Sequence, residues 1–425
     1  MITATSSYNL SIPVIDIPYL VDKYAQKLRL NCKRRCGTDR TYYDFSTATS
    51  QYDITEVIIE EYFDVEEYNL SRKNLCPRIS NRMEYIRILE YSLMESLEIY
   101  YEYSNNEEIT DEGNRENMTD RWIVDIGTGS SLVYPIIGSK MCLKNKFIAT
   151  EIDQESIEYA KQHILPNLNN VQLVEVEDPK LILPVDKILQ VLPHGQKVRY
   201  TLCNPPFYTD ESELDILEAQ KITAKQEELV LAESEMYYKG GEVEFIKLLI
   251  DQSIEVNKLT QLKNCWYSSQ VGIHSHIKEL IDYCRLKGIT NTFQGCIKFT
   301  TSRWIVAWNF NTNFLPLSPT PSTKLVDSTP IHQKLQQLKK SFDKFDFKII
   351  STTSNNLYLI CNEVIWLRKI KRQAQRGDVS TLFQKLIVLR FNMHGIELAY
   401  NDSNIDKVTV TNSAVAQFQS ESHRN

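Results

Sequence analysis

Short apolar runs alternate with longer segments of helical spacing between Arg121 and Asn311. The short runs predict β-strands, and in Glu242–Asn257 the apolar residues recur on related helical faces, which predicts an amphipathic helix. This alternation predicts an α/β domain with a mostly parallel sheet covered on both faces. The predicted strands are Arg121–Asp125, Phe147–Glu151, Val171–Val176, Arg199–Cys203, Lys263–Gln270 and Arg303–Phe310; the predicted helices are Glu155–His163, Glu242–Asn257 and His276–Lys287.

Three polar segments interrupt this pattern. Tyr101–Thr119 is acidic and lacks periodicity, so we interpret it as an exposed loop or insertion. Thr209–Gly240 is rich in Glu, Lys and Gln and is interpreted as a long mobile connection. Asn311–Pro330 contains four prolines with Ser and Thr, which is typical of a linker.

The pattern beyond the linker predicts a small α+β module. Its predicted strands are Phe345–Ser351, Asn356–Ile360 and Val364–Leu367, and its predicted helix is Thr381–Met393. From Pro321 to Arg390 the chain carries 13 basic and 5 acidic residues.

The composition excludes two classes of protein. The nine cysteines are odd in number and scattered, no secretory signal opens the chain, and no apolar run reaches the ~18 residues that a membrane span requires. We therefore expect neither a disulfide-stapled secreted domain nor an integral membrane protein, and we expect a reducing compartment.

The net charge of −7 argues against nucleic-acid binding until its distribution is considered. From Lys23 to Arg40 there are seven basic residues and one acid. A phosphate backbone requires a local positive patch rather than a basic average. Solvated surface charge remains the alternative interpretation of each run.

A glycine turn follows the first predicted strand. Glycines are scarce in this chain, 13 of 425, yet Asp125-Ile126-Gly127-Thr128-Gly129-Ser130 contains two. Such a turn lets a ligand approach the backbone closely, and Glu151, 22 residues after Gly129, is placed to accept hydrogen bonds from ribose hydroxyls. Leu132 stands where a nicotinamide fingerprint needs a third glycine, which weakens a dehydrogenase interpretation. The position of the turn after the first strand, with Glu151 behind it, favours another nucleoside-type cofactor over an ordinary tight turn.

Asn204-Pro205-Pro206-Phe207 follows a predicted strand, at the edge where open α/β sheets bind ligands. The two prolines make the backbone rigid and remove two N–H donors, while Asn204 adds a side-chain acceptor and Phe207 an aromatic face. This set fits a planar exocyclic amine, whose two N–H groups would donate to Asn204 and the Pro205 carbonyl and whose lone pair would then face an electrophile. A proline-rich turn is the structural alternative.

The combination resembles the amino-methylating class I S-adenosylmethionine-dependent methyltransferases. Four further stretches resemble the U6 small nuclear RNA adenine-N6 methyltransferases (the family of methyltransferase-like protein sixteen) and their bacterial ribosomal-RNA relatives. They are Pro77–Ile86, Asp125–Gly138, Gly240–Phe245, and Trp266–Ser268 with Thr301–Phe310. The resemblance covers about Ile15 to Asn311.

The resemblance implies a class I Rossmann-like core that uses S-adenosylmethionine to methylate N6 of adenosine in structured RNA. It implies an N-terminal RNA-binding module (1–76) and a methyltransferase domain (77–311). Composition and pattern add a linker (312–330) and a basic α+β module (331–425), which we expect to bind RNA. We expect a monomeric nuclear enzyme, with the cytoplasm as alternative, and no metal or membrane partner.

The resemblance also implies site residues. The catalytic set is Asn204, Pro205, Pro206 and Phe207. The cofactor-binding set is Arg82, Asp125, Gly127, Thr128, Gly129, Glu151, Leu181 and Asn204, with a loop at Lys180 that can cover the cofactor. The RNA-binding set is Lys33, Arg34, Arg35, Arg40, Tyr267 and Arg303, and we expect Trp266, Tyr267, Arg303 and Trp304 to frame the pocket.

Departures from the family pattern leave alternatives open. Basic residues of the family are replaced by Val271, Ile273 and His274, and a family arginine appears as Thr300. The alternatives are a ribosomal-RNA adenine-N6 methyltransferase, a protein glutamine methyltransferase, or a catalytically silent RNA-binding protein. Cys32-x3-Cys36 and His274-x-His276 lack the partners of a zinc site and are interpreted as structural or surface residues.

Overall fold

The computed structural model describes residues 10–34, 41–94, 120–206, 238–299, 301–311, 316, 347–351, 357–361, 387–392 and 395–400. The chain divides into two compact units. One contains Leu10–Ile88 and Thr110–Thr312, and the other contains Met1–Asn9, Leu89–Ile109 and Asn313–Asn425. The predicted loop Tyr101–Thr119, most of the connection Thr209–Gly240 and the predicted strand Val364–Leu367 lie outside the described residues.

The first unit is built on a parallel sheet with the strand order β5-β4-β3-β6. β3 is buried along its whole length, which is the burial expected of a strand that helices cover on both faces. The strands are β3 (Arg121–Ile126), β4 (Asn145–Glu151), β5 (Val171–Glu175) and β6 (Val198–Cys203).

A second group of strands continues this sheet. A parallel bridge between Tyr200 and Trp266 joins β6 to the antiparallel set β7-β9-β8. These strands are β7 (Tyr267–Val271), β8 (Asn291–Ile297) and β9 (Arg303–Asn309). The predicted mostly parallel sheet is confirmed, because among these seven strands β9 alone runs against its neighbours. The predicted strand Lys263–Gln270 begins later than expected, because turns occupy 260–264.

The helices of the first unit occupy the segments between these strands and a block before them. They are α1 (Ile17–Lys23), α2 (Ala25–Leu28), α3 (Ala48–Phe63), α4 (Ile79–Leu89), α5 (Val133–Met141), α6 (Gln154–Tyr159), α7 (Val185–Val191), α8 (Gly241–Val256) and α9 (His274–Leu286). A π-helical turn, Ala160–Ile164, prolongs α6, and another, Glu90–Met94, prolongs α4.

Helices pack on both faces of the sheet. On one face, Val124 and Ile148 share a buried cluster with Ile246 and Leu249 of α8 and Leu280 of α9. On the other face, Gly138 of α5 lies against Phe147 so closely that a Cβ would lie 2.3 Å from the ring. α5 can therefore approach β4 because residue 138 has no side chain.

The N-terminal block combines α1–α3 with a short antiparallel hairpin, β1 (Cys32–Arg34) and β2 (Thr41–Tyr43). Its basic residues face the acidic residues of α3: Lys23 pairs with Glu61 at 2.6 Å and Lys27 with Glu56 at 2.8 Å. The acidic residues of α3 thus neutralise part of the basic run Lys23–Arg40.

In the second unit, four strands form an antiparallel meander, β10 (Phe347–Ser351), β11 (Leu357–Cys361), β12 (Ile387–Asn392) and β13 (Gly395–Tyr400). The predicted helix Thr381–Met393 is wrong over 387–392, which form β12. The β-branched and aromatic residues there suit a strand, and pairing with β11 and β13 on both sides overrides local helical spacing. No helix in the described part of the chain is long and apolar enough to cross a membrane.

Candidate active site

A cavity of about 440 Å³ opens at the carboxyl ends of β3, β4 and β6. Parallel strands direct their C-terminal loops to this edge, which is the usual ligand-binding position in open α/β sheets. Eight of the predicted site residues line it, namely Arg82, Gly127, Thr128, Gly129, Glu151, Leu181, Asn204 and Pro206. The sequence placed these residues on five separate segments, and the fold brings them to one site.

The glycine turn has the backbone geometry expected of it. Gly127 and Gly129 have φ angles of +67° and +66°, in the left-handed region that glycine adopts without strain. Leu132, at the start of α5, is also left-handed, with φ of +49°. Leu132 stands where a nicotinamide fingerprint has its third glycine, and its left-handed backbone is one that a leucine adopts only with strain.

Glu151 is held by the backbone around it. Its Oε2 accepts from the Gly129 N–H at 2.7 Å, and its Oε1 accepts from the N–H groups of Ile152 and Asp153 at 2.8 and 2.9 Å. Three N–H donors fix the orientation of this carboxylate at the cavity wall, so it is prepared to accept hydrogen bonds from hydroxyl groups.

Asp125 lies behind the cavity wall, at the end of β3, and is completely buried. Neither of its carboxylate oxygens has a hydrogen-bond partner among the described residues. Burial raises the pKa of Asp125 to about 7; the neighbouring Thr128 hydroxyl opposes the increase, the Glu151 charge adds to it, and the Arg82 charge opposes it. A buried carboxylate whose pKa is raised in this way, directly behind a cavity wall, is typical of a functional site.

The residues present fit S-adenosylmethionine. Glu151, Asp153 and Asp178 line the cavity, and Arg82 is the one basic side chain among its described lining residues. The acidic wall suits the sulfonium and ammonium groups of the cofactor, and Arg82 suits its carboxylate. The buried Nε of Arg82 and the hydroxyl of Thr128 lack partners among the described residues, as does Asp125.

The Asn204 side chain meets an arginine at the cavity. Arg82 Nη1 donates to Asn204 Oδ1 at 3.2 Å and to Gln270 Oε1 at 3.2 Å. Gln270 Nε2 donates to the hydroxyl of Tyr134 at 3.0 Å, and the Arg82 guanidinium lies 5.2 Å from the centre of the Tyr134 ring. Gln270 and Tyr134 were not predicted as site residues, since nothing in the local sequence distinguishes them from core residues.

The catalytic tetrapeptide is partly described. Asn204 and Pro206 line the cavity, Pro205 is buried beside them, and Phe207 lies outside the described residues. Cys203, interpreted from the sequence as a core residue, is buried, and that burial raises the pKa of its thiol well above the usual range. A nucleophilic role for Cys203 is therefore disfavoured.

Two aromatic residues at the cavity were missed. Tyr238 and Phe245 line it and contact each other edge to face, with ring centroids 5.2 Å apart. The Gly240-Gly241 pair between them was the available signal, because both glycines take positive φ and begin α8.

The loop at Lys180 forms one side of the cavity through Asp178, Pro179, Leu181 and Ile182. Gln252 of α8 holds it, donating from Nε2 to the Lys180 carbonyl at 2.5 Å and accepting from the Leu183 N–H at 2.9 Å. The Lys180 side chain itself is exposed.

The predicted aromatic frame is corrected by the structure. Trp266 and Tyr267 are fully buried and do not line the cavity, and Tyr267 stacks on Trp308 with centroids 6.0 Å apart. The predicted RNA contact of Tyr267 is therefore wrong, because sheet packing leaves no exposed surface on it. Trp304 is half-buried and contacts His274, and Arg303 is half-buried beside it.

The predicted basic RNA-binding set is only partly described. Lys33 pairs with Asp44, and the Arg34 side chain, Arg35 and Arg40 lie outside the described residues. Their contact with RNA stays a prediction.

Comparison with known proteins identifies relatives of the chain. The model of a family described as RNA methyltransferase matches residues 9–312. The RNA N(6)-adenosine-methyltransferase METTL16 of Mus musculus is 24% identical over 84% of this chain, and the match spans 60% of that protein. The ribosomal RNA large subunit methyltransferase F of Flavobacterium johnsoniae is 27% identical over 64% of this chain and 82% of its own length. The U6 small nuclear RNA (adenine-(43)-N(6))-methyltransferase of Drosophila melanogaster is 26% identical over 63% of this chain and 81% of its own length.

A solved structure agrees in fold. The crystal structure of the hMettl16 catalytic domain in complex with MAT2A 3′UTR hairpin 1 superposes with a TM-score of 0.55 at 22% identity. The superposition covers 74% of this chain and 100% of the other. It confirms the class I Rossmann-like core predicted from the sequence.

Proposed function

The chain belongs to this RNA methyltransferase family, and from that premise we propose that it methylates N6 of an adenosine in structured RNA, with U6 small nuclear RNA as the target. One observation carries the proposal. Asn204, a side chain with an amide acceptor, stands at the wall of an acidic cavity, followed by the rigid Pro205-Pro206 backbone. A nuclear location goes with a U6 target and is part of the proposal.

The cofactor-binding residues divide by chemistry. Glu151 would accept from the ribose hydroxyls, the Gly127–Gly129 turn allows close approach to the backbone, and Arg82 would bind the carboxylate. Bound S-adenosylmethionine supplies a methyl group activated by its sulfonium.

Asn204 and Pro205 act on the acceptor amine. Accepting both N–H groups of adenine N6 draws electron density out of the ring conjugation and orients the nitrogen lone pair. The N6–C bond would form as the C–S bond breaks, and the methylated N6 would lose one proton to solvent after the transfer. The amine becomes acidic as it gains the methyl group, so positioning and exclusion of water are sufficient without a strong general base.

Phe207 is proposed to stack on the target base after the base leaves the RNA helix. The N-terminal basic residues and Arg303 are proposed to bind the RNA backbone, and the domain boundaries predicted from the sequence belong to the same proposal. The relation to the Flavobacterium protein makes ribosomal RNA the second candidate substrate.

The test is to incubate purified protein with methyl-labelled S-adenosylmethionine and total RNA, separate the RNAs, and digest them to nucleosides. We expect labelled N6-methyladenosine in U6, and none with the Asn204→Ala variant, whose RNA affinity should stay within a few-fold. Label in ribosomal RNA would retain the chemistry and replace the substrate. Cofactor and RNA binding without transfer would contradict the enzymatic proposal and favour the RNA-binding alternative.

A further inference from the structure

We propose that Gln270 is a positioning residue that holds Arg82 for recognition of the cofactor's carboxylate. The inference rests on the proposed function, because it concerns the same cofactor. Gln270 belongs to β7, is 1% exposed and does not line the cavity, so it can act only through the residues it contacts.

Both ends of the Gln270 amide are used. Its Oε1 accepts from Arg82 Nη1 at 3.2 Å, and its Nε2 donates to the Tyr134 hydroxyl at 3.0 Å. Tyr134 in turn places its ring 5.2 Å from the Arg82 guanidinium carbon. The guanidinium is thus held by a hydrogen bond from one side and by a ring that Gln270 itself orients.

This arrangement determines which donors of Arg82 remain. Nη1 carries two hydrogens, one directed to Asn204 Oδ1 and the other to Gln270 Oε1, each at 3.2 Å. The buried Nε–H has no partner among the described residues. Arg82 lines the cavity, and its Nη2 takes part in none of the hydrogen bonds shown, so we assign Nη2 as the donor for an anion there while Nη1 is engaged behind it.

The anion follows from the composition of the cavity. Arg82 is the one basic side chain among the described lining residues, and the carboxylate is the one anionic group of S-adenosylmethionine. Gln270 suits this role because it is a neutral acceptor. It fixes the guanidinium without cancelling the positive charge, as a carboxylate at position 270 would.

Gln270 also shares the hydrogen bonds of Arg82 Nη1 with Asn204, which leaves the Asn204 amide oxygen more available to the target base. Without it, Asn204 is the remaining acceptor shown for Nη1, and the same amide oxygen is required by the amine of the target base. One glutamine thus affects both the cofactor end and the acceptor end of the site, although it touches neither ligand.

The experiment compares two cofactors that differ only in the carboxylate. Affinities of the full chain for S-adenosylmethionine and for decarboxylated S-adenosylmethionine are measured by calorimetry without RNA, for wild type and Gln270→Met. We expect the affinity for S-adenosylmethionine to fall about 5–10-fold, the scale of one hydrogen bond, and the affinity for the decarboxylated compound to change less than about two-fold. An equal loss for both compounds, or no loss for either, would overturn the proposal.

Two further variants keep the test decisive. Tyr134→Phe removes the hydroxyl that holds the Gln270 amide but keeps the ring, and we expect a selective loss of about two- to three-fold. If Gln270→Met does not fold, an unchanged ratio of affinities in Tyr134→Phe overturns the proposal. Gln294→Met is the matched control, because Gln294 on β8 is exposed and does not line the cavity, so the same substitution there should leave both affinities unchanged.

The outcomes separate this inference from the proposed function. A wild-type chain that binds neither compound contradicts both. A wild-type chain that prefers S-adenosylmethionine, with a preference unchanged in Gln270→Met, contradicts the role of Gln270 alone.

Discussion

Two buried carboxylates end adjacent strands of the sheet, and their surroundings differ completely. Glu151 ends β4 and accepts three backbone N–H groups, whereas Asp125 near the end of β3 has no hydrogen-bond partner among the described residues. Burial raises the pKa of Asp125 to about 7. The first carboxylate is stabilised by backbone hydrogen bonds, whereas burial of the second lowers the stability of the fold, a cost that we expect a cationic ligand in the adjacent cavity to offset.

The difference between the two carboxylates indicates how each one contributes to cofactor affinity. A satisfied carboxylate contributes a fixed geometry, and an unsatisfied one contributes a favourable interaction that appears only on binding. Three predictions test this difference.

Replacing Glu151 by Ala should lower both cofactor affinity and stability. The N–H groups of Gly129, Ile152 and Asp153 lose their acceptor, which costs about 1–3 kcal/mol of unfolding free energy, and ribose recognition is lost with it. We expect affinity for S-adenosylhomocysteine to fall about 100-fold, measured by calorimetry beside thermal unfolding. Glu155→Ala, which removes an exposed ion pair with Lys73, is the control. A stable Glu151→Ala protein would show that the backbone donors are satisfied in another way.

Replacing Asp125 by Asn should separate affinity from stability. The folded state binds the proton of Asp125 more tightly than the unfolded state, so the residue destabilises the fold most above pH 7 and least below about pH 4. We expect Asp125→Asn to raise unfolding free energy at pH 8 by on the order of 2–4 kcal/mol, to show little change at pH 4, and to bind S-adenosylmethionine about 10-fold more weakly.

Glu242 offers a matched control for that variant. It is 2% exposed, lies outside the cavity lining, and accepts from the N–H groups of Gly272 and Ile273. Glu242→Gln should destabilise the protein and leave cofactor affinity unchanged. If Asp125→Asn behaved in the same way, Asp125 would be a structural carboxylate like Glu242.

The affinity of the wild type for S-adenosylmethionine should depend on pH through Asp125. The carboxylate becomes protonated as pH falls through about 7, which removes its attraction for the cationic cofactor. We expect affinity to be constant between pH 8 and 9 and to fall a few-fold between pH 7 and 6, while Asp125→Asn shows a flatter profile. Calorimetry at each pH measures this, and identical profiles would exclude Asp125 as the titrating group.

The sequence predicted the catalytic domain better than the regions around it. The strands β3, β4, β5 and β6 were predicted to within two residues at each end, because each is a short segment dominated by apolar and aromatic residues. Strand β8 was missed because its polar and small residues alternate with apolar ones only weakly. The helix predicted over 387–392 failed because neighbouring strands, which no local pattern reveals, pair with that segment.

The site divides in the same way. The glycine turn, Glu151 and Asn204 were found because each is a local pattern tied to the end of a strand. Tyr267 was wrongly assigned to RNA contact, because the sequence around an aromatic residue does not show whether it faces solvent or the core. Its stacking on Trp308 in the folded chain shows that it belongs to the core.

By itself, the sequence determined the order of elements, the left-handed turn at Gly127 and Gly129, and the rigid acceptors at Asn204-Pro205-Pro206. Backbone dihedral preferences and apolar runs act over a few residues, so they can be read without the fold. Only the tertiary structure shows that Arg82 donates hydrogen bonds to Asn204 and Gln270, which lie 122 and 188 residues away along the chain. Only the tertiary structure shows that the Asp125 carboxylate is buried without a hydrogen-bond partner among the described residues. Contacts and burial of this kind depend on which segments pack together, and no local stretch of sequence carries that information.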